Sequence, residues 1–202
     1  MSTVQNHSKV EKEELNLKDA VFVFASFTLM GVAAITLLII FDVLTLDQFL
    51  SFHNPSTLMT MTVTTTIGLI LFGILLTILI PSHHIDNQNK QYQTSSISAL
   101  LSLFLFGSLF EELLFRGIVQ NLLLLYIEKS WVGIFITSLP FLALHVQYFK
   151  KPLMLFNILL PSLAFGWVYV KTSNILVPII VHFLLNFVIT ILFKYRILKL
   201  KS

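Results

Sequence analysis

An all-α, polytopic transmembrane bundle is predicted by three observations. Of the 202 residues, 56% are hydrophobic and 11% charged, against about 45–50% and 25% in a soluble domain. The mean hydropathy is +0.87. Apolar runs long enough to cross a hydrocarbon core of about 30 Å, which takes about 20 helical residues, recur along the chain at 21–41, 58–80, 97–127, 131–149, 153–170 and 175–193. About six spans are therefore expected, with the polar residues of interest confined to the last four.

Taken in order, residues 1–20 form a polar tail, and its KVEKEELNLK stretch has mixed charges at helical spacing, as in a surface helix leading into the first span. The first apolar run follows this polar stretch with no small-residue cleavage pattern behind it, so it reads as a retained span rather than a secretory signal. Residues 21–95 hold two plain front spans and the polar loop PSHHIDNQNKQYQTS. Residues 96–193 hold four spans joined by tight connections at 128–130, 150–152 and 171–174, and residues 194–202 are a basic tail. Basic residues separate by side. Lys9, Lys12, Lys18, Lys90, Lys150, Lys151, Lys194, Arg196, Lys199 and Lys201 fall on one side and only Lys129 and Lys171 on the other, which places both termini in the cytoplasm. A net charge of +3 spread over short loops gives no basic stripe for nucleic acid. With no cysteine, disulfides, thiolate metal sites and a cysteine nucleophile are excluded.

Charges inside a membrane helix cost about 2.5–3.5 kcal/mol each on insertion scales, so they face the bundle interior and mark function. The third span carries Glu111, Glu112 and Arg116 in GSLFEELLFRG, the fourth carries His145, and the sixth carries His182 and Asn186. Glu112 and Arg116 are four apart, on one helical face, and can neutralise each other. Glu111 points about 100° away around the axis and is left without that cation, free to accept a proton. His182 and Asn186, also four apart, present two donors side by side, suited to a developing oxyanion. His145 follows Phe141 by four and could hold a water, or help deprotonate it, together with Glu111.

The ordered set EELLFR (Glu111, Glu112, Arg116), FLALH (Phe141 to His145) and HFLLN (His182 to Asn186) resembles the CPBP family of intramembrane proteases, which includes CAAX prenyl-protein endopeptidases and bacterial Abi, bacteriocin-immunity-like proteins. The connecting stretch GWVYVKTSNILVPIIVH is similar to the family's run before its last motif. The resemblance covers about residues 105–190 and leaves the front spans outside it. It implies an endopeptidase acting on a membrane-embedded or lipidated peptide at the bilayer. Glu111 and His145 would activate a water, His182 and Asn186 would hold the oxyanion, and Glu112, Arg116 and Phe141 would support them. The family is often labelled metalloprotease. The chain lacks HExxH, and a divalent metal such as zinc would fall to Glu111, His145 and His182. Two other functions use the same residue types: a proton-coupled transporter, in which such groups relay protons, and a non-catalytic immunity or interaction protein. Neither inverted repeats nor a discriminating pocket residue stands out in the sequence.

The remaining polar features read as structure. His83, His84 and Asp86 sit in a solvated loop, and His7 and His53 lie in polar segments. Pro140, Pro161 and Pro178 interrupt apolar spans and can kink them, two of them shortly before His145 and His182.

Overall fold

A computed structural model of the chain describes residues 2–80 and 92–198, with side chains in the first helix described from Leu17 onward. His83, His84, Asp86 and the basic residues Lys90, Lys199 and Lys201 lie outside the described residues, as do the side chains of His7, Lys9 and Lys12. Among the described residues all regular elements are helical. Helix α1 (Ser2–Ile40) joins the polar tail and the first span into one rod. A short α2 (Leu46–Phe49) follows, then α3 (Pro55–Leu79). The third span is α4 (Ile97–Glu112), a π-helical stretch (Leu113–Gln120) and a last turn α5 (Asn121–Leu124) in unbroken succession. Then come α6 (Ser130–Ala143), a 3₁₀ turn (Val146–Tyr148), α7 (Pro152–Thr172) and α8 (Leu176–Lys194).

Local chemistry sets most of these boundaries. Thr45 and Gln48 form a reciprocal capping box at α2, and Asn54 and Ser96 cap α3 and α4 by accepting from Thr57 N and Ala99 N. Pro55 and Pro152 open their helices, where a missing N–H costs nothing. Five helices are long and apolar enough to cross a membrane: Leu17–Ile40, Pro55–Leu79, Ile97–Leu124, Pro152–Thr172 and Leu176–Lys194. The protein is a multi-pass membrane bundle.

The fourth expected span is shorter than the hydropathy indicated. α6 has 14 residues, about 21 Å at 1.5 Å per residue, less than the roughly 30 Å of hydrocarbon. α6 ends at Ala143, and Pro152 sets where α7 begins. It bars the preceding Lys151 from helical angles, and Lys151 sits at φ −126°, ψ 82°. The connection between these helices is therefore 144–151, not the tight 150–152 turn, and it places a loop where helix was expected. Pro178 also differs from expectation. It lies in the first turn of α8, where no intrahelical donor is lost and no kink follows. Pro161 is interior to α7 and removes the bond its N–H would have given the Asn157 carbonyl.

The front helices flank the rest of the bundle. α1 lies along α4 and the π-helical stretch, and α3 along α8 and α7. One apolar cluster joins Leu69, Phe165, Val168, Val177, Val181 and Leu185, and a second joins Ile35, Leu113, Tyr169, Ile175 and Ile179. Since lipid is as apolar as leucine, such contacts depend on close packing rather than on escape from water. Gly166 shows how close: a Cβ there would meet Gln120 Oε1 at 2.8 Å and Ile134 Cγ2 at 2.9 Å. At one end of the bundle the 42–54 connection docks on the α7–α8 turn, where Ser51 N donates to Ser173 O (2.8 Å) and Ile175 N to Phe49 O (3.0 Å). At the other end Lys194 Nζ donates to the carbonyls of Gln93 (2.9 Å) and Ser95 (2.7 Å).

Candidate functional site

The two adjacent glutamates have different surroundings. The Glu112 side chain is fully buried, while that of Glu111 is 21% exposed and lines a cavity. Glu112 belongs to an inward stripe with Arg116 and Gln120, at steps of four along α4 and the π-helical stretch, and all three are 0% exposed. Arg116 Nη1 donates to Glu112 Oε1 at 3.2 Å, the pair the spacing predicts. Its Nη2 donates to the Ser162 carbonyl (2.7 Å) and hydroxyl (2.9 Å), and Ser162 Oγ donates in turn to Ser138 Oγ at 3.1 Å. The guanidinium lies 5.0 Å from the Phe141 ring centroid and 5.5 Å from that of Phe165. Ion pairing, directional hydrogen bonds and aromatic faces together offset the cost of burying this cation.

Glu112 has a second partner that its spacing to Arg116 did not reveal. His182 Nδ1 donates to Glu112 Oε1 at 2.8 Å, so one carboxylate oxygen bridges Arg116 and His182. The imidazole is stacked on Phe165 at 4.6 Å and 20°. With Nδ1 anchored, Nε2 is turned toward Glu111, whose Oε2 is 3.8 Å away. That separation exceeds a direct hydrogen bond.

His145 lies beyond the end of α6, on the loop that the short helix leaves, and its Nδ1 is 2.9 Å from the Phe141 carbonyl. Phe141 touches all three charged or ionisable neighbours: Arg116 over its face, His145 at 5.4 Å and His182 at 6.2 Å between centroids. Glu111, His145, His182 and Asn186, from α4, the 144–151 loop and α8, all line one cavity of about 460 Å³. Asn186 makes no side-chain hydrogen bond among the described residues, so both its amide atoms are available to a ligand. A second cavity, of about 250 Å³, is lined in part by α1 and α4 and shares Phe24, Tyr92, Phe104, Glu111, His182 and Asn186 with the first.

Several site residues are absent from the motif reading. Phe165, Ser138 and Ser162 hold Arg116 and His182, and Gln120 extends the stripe. Gln120 was legible, being a polar residue four after Arg116 inside an apolar run, and the two serines stand beside prolines or one residue from them. Phe165 carries no signal beyond its aromaticity. The front spans also line the larger cavity, with Phe24 from α1 and Phe72, Gly73 and Thr77 from α3.

A metal ion would need these donors to converge. Among the described residues no three carboxylate or imidazole groups gather closely enough to share one ion. As placed, Glu111, His145 and His182 do not converge on one ion, and no step below is routed through one.

Comparisons with known proteins bear out the resemblance. Residues 93–188 match the family model described as type II CAAX prenyl endopeptidase Rce1-like. The chain is 32% identical over 109 residues to the uncharacterized protein YpbD of Bacillus subtilis (strain 168), which covers 52% of this chain and 53% of that protein. It is 37% identical over 87 residues to an uncharacterized 24.3 kDa protein of Escherichia coli, covering 43% of this chain and 40% of that one. The chain thus spans about half or less of the length of these curated relatives. No solved structure matches.

Proposed function

From residues 93–188 being Rce1-like, we propose that the protein is an intramembrane endopeptidase that hydrolyses a peptide bond of a membrane-associated or lipidated substrate. One observation carries the reading: Glu111, His145, His182 and Asn186 line a single cavity although they come from separate elements. Glu111, exposed to the cavity and without a guanidinium partner, takes the proton of a water that His145 helps hold, and the hydroxyl oxygen attacks the carbonyl carbon. The carbonyl oxygen becomes an oxyanion within reach of Asn186 Nδ2 and His182 Nε2. Donation by Nε2 needs the ring protonated at both nitrogens, with Glu112 as counterion. Glu111 then returns the proton to the leaving nitrogen. Glu112 and Arg116 orient the ring and touch no reacting atom.

The cavity-bearing end, marked by Lys194, Gln93 and Ser95, would face the cytoplasm together with both termini, following the basic residues. Since the chain has no cysteine, membrane-impermeant thiol reagents on single His53→Cys and Lys150→Cys variants test this. Labelling of the His53→Cys variant from the cytoplasmic side would overturn it.

The activity test uses purified wild type and Glu111→Gln in detergent with a library of short membrane-associated peptides, read by mass spectrometry with and without a chelator. Wild type alone should cleave. Equal cleavage by Glu111→Gln removes Glu111 from the reaction and the reading with it. Loss of cleavage on chelation would assign a metal that the present donor geometry does not accommodate.

A further inference from the structure

α7 and α8 run antiparallel across a short turn, and the stacking of Phe165 on His182 at 4.6 Å marks their register. One step of four residues back along α7 and forward along α8 brings Pro161 level with Asn186. A second step brings Asn157 level with Thr190. These residues all line the larger cavity, so the two helices give it facing walls that run on from the reacting groups toward the Lys194 end. Both walls stay polar there. Thr77, which lines the same cavity, donates its hydroxyl to the Gly73 carbonyl at 2.7 Å, a common bond for a threonine inside a helix. Thr190 makes no such bond: its hydroxyl and the Asn157 side chain have no hydrogen-bond partner among the described residues. Pro161 also removes the N–H that the Asn157 main-chain carbonyl would accept from within the helix.

Resting on the protease reading, we propose that Thr190 and Asn157 bind the main chain of an extended substrate segment, with Thr190 holding the carbonyl two residues from the scissile one. The spacing carries this assignment. Thr190 follows Asn186 by four residues, about 6 Å along the helix axis. In an extended chain the carbonyls on one edge recur at every second residue, about 6.5 Å apart. A strand that lies along α8 with its scissile carbonyl at Asn186 therefore presents its next carbonyl on that edge to Thr190. The opposite edge faces Asn157, whose amide can donate and whose carbonyl oxygens can accept. A helical substrate offers these walls nothing, because its carbonyls are already bonded within the helix, so the segment must be unwound to be cut. Thr190 lies beyond the Rce1-like stretch of 93–188, outside the set of motif residues.

The test uses a peptide that wild type cleaves, resynthesised with single backbone esters, each of which removes one N–H and weakens one carbonyl as an acceptor. In wild type, an ester at the carbonyl two residues from the cleaved bond, on one side of it, should lower kcat/KM by roughly tenfold. Thr190→Val keeps the side-chain shape and removes the hydroxyl. It should lower cleavage of the all-amide peptide by a similar factor and cancel the further loss from that one ester, while esters elsewhere keep their wild-type effects. Thr190→Ser should restore the loss from that ester. Asn157→Leu should cancel the effect of an ester at a neighbouring position instead. All-amide cleavage unchanged in Thr190→Val, or the same loss from that ester in Thr190→Val as in wild type, overturns the main-chain contact while the protease reading stands. No cleavage by wild type across the library sinks both.

Discussion

Two groups of polar side chains lie in the same bundle, and their hydrogen bonding separates them. Toward the end closed by the 42–54 connection, Asn121 Nδ2 donates to Gly117 O (3.0 Å) and Tyr169 Oη (2.6 Å), Tyr169 Oη donates to Gln48 O (3.1 Å), and Asn174 Nδ2 donates to Ser51 O (2.7 Å). These groups bond one another and main-chain carbonyls, and they tie the front connection to the back helices. Around the cavity, Asn186 and Ser108 Oγ have no hydrogen-bond partner among the described residues, and Glu111 has a ring nitrogen 3.8 Å away. Buried polar groups in folded proteins are nearly always paired. The paired end is scaffold; unpaired atoms also occur off the cavity, on Thr66, Arg116 and Gln120, so it is the cavity-lining Glu111 and Asn186 that mark where a ligand and chemistry are expected.

The sharpest way to break this contrast is to remove a group from each class. Glu111→Ala should lower peptide cleavage by about 10⁴-fold, the upper range for a general base, while insertion and thermal stability in detergent hold, because the residue braces nothing. A large loss of melting temperature in that variant would move Glu111 into the scaffold. Arg116→Ala should act first on stability. It leaves Glu112 buried with one counterion fewer, at a cost of about 3–5 kcal/mol, visible as a large drop in melting temperature. Wild-type stability in Arg116→Ala would show that Glu112 is neutral in the fold.

Much of this was legible in the residues, unevenly and for physical reasons. Apolar run length found the membrane helices, because the hydrocarbon core fixes how many residues a span needs. The i, i+4 rule found the Glu112–Arg116 pair, because both partners sit on one helix. It could not find the bond from His182 to Glu112, 70 residues away in sequence, since no spacing encodes which helices pack together. Hydropathy overstated the fourth span because the 144–149 stretch is apolar; α6 ends at Ala143, and Leu144, Val146 and Phe149 lie more than half exposed on the loop that carries His145 to the cavity. The π-helical stretch at 113–120 left no mark in composition, although such segments recur at functional sites.

A substitution within the unpaired group grades the comparison more finely. Asn186→Ala should lower kcat by about 10²-fold with KM nearly unchanged, because an oxyanion donor acts in the transition state and not on the ground-state carbonyl. A rise in KM at constant kcat would instead make Asn186 a binding contact.

The smallest expected effect belongs to the paired end and is the strictest check on the division. Tyr169→Phe keeps the ring that packs with Ile35, Leu113, Ile175 and Ile179 and deletes one hydroxyl that accepts from Asn121 and donates to Gln48 O. Two bonds at about 1 kcal/mol each put the loss near 2 kcal/mol. Asn121 keeps its bond to the Gly117 carbonyl, which brings the net loss toward 1 kcal/mol. The outcome expected is a modest drop in melting temperature with kcat, KM and peptide preference unchanged at temperatures where the variant stays folded. A changed peptide preference would mean that the strap at the far end sets the position of α1 or α4 at the cavity, and the separation of scaffold from site would fail where it looks most secure.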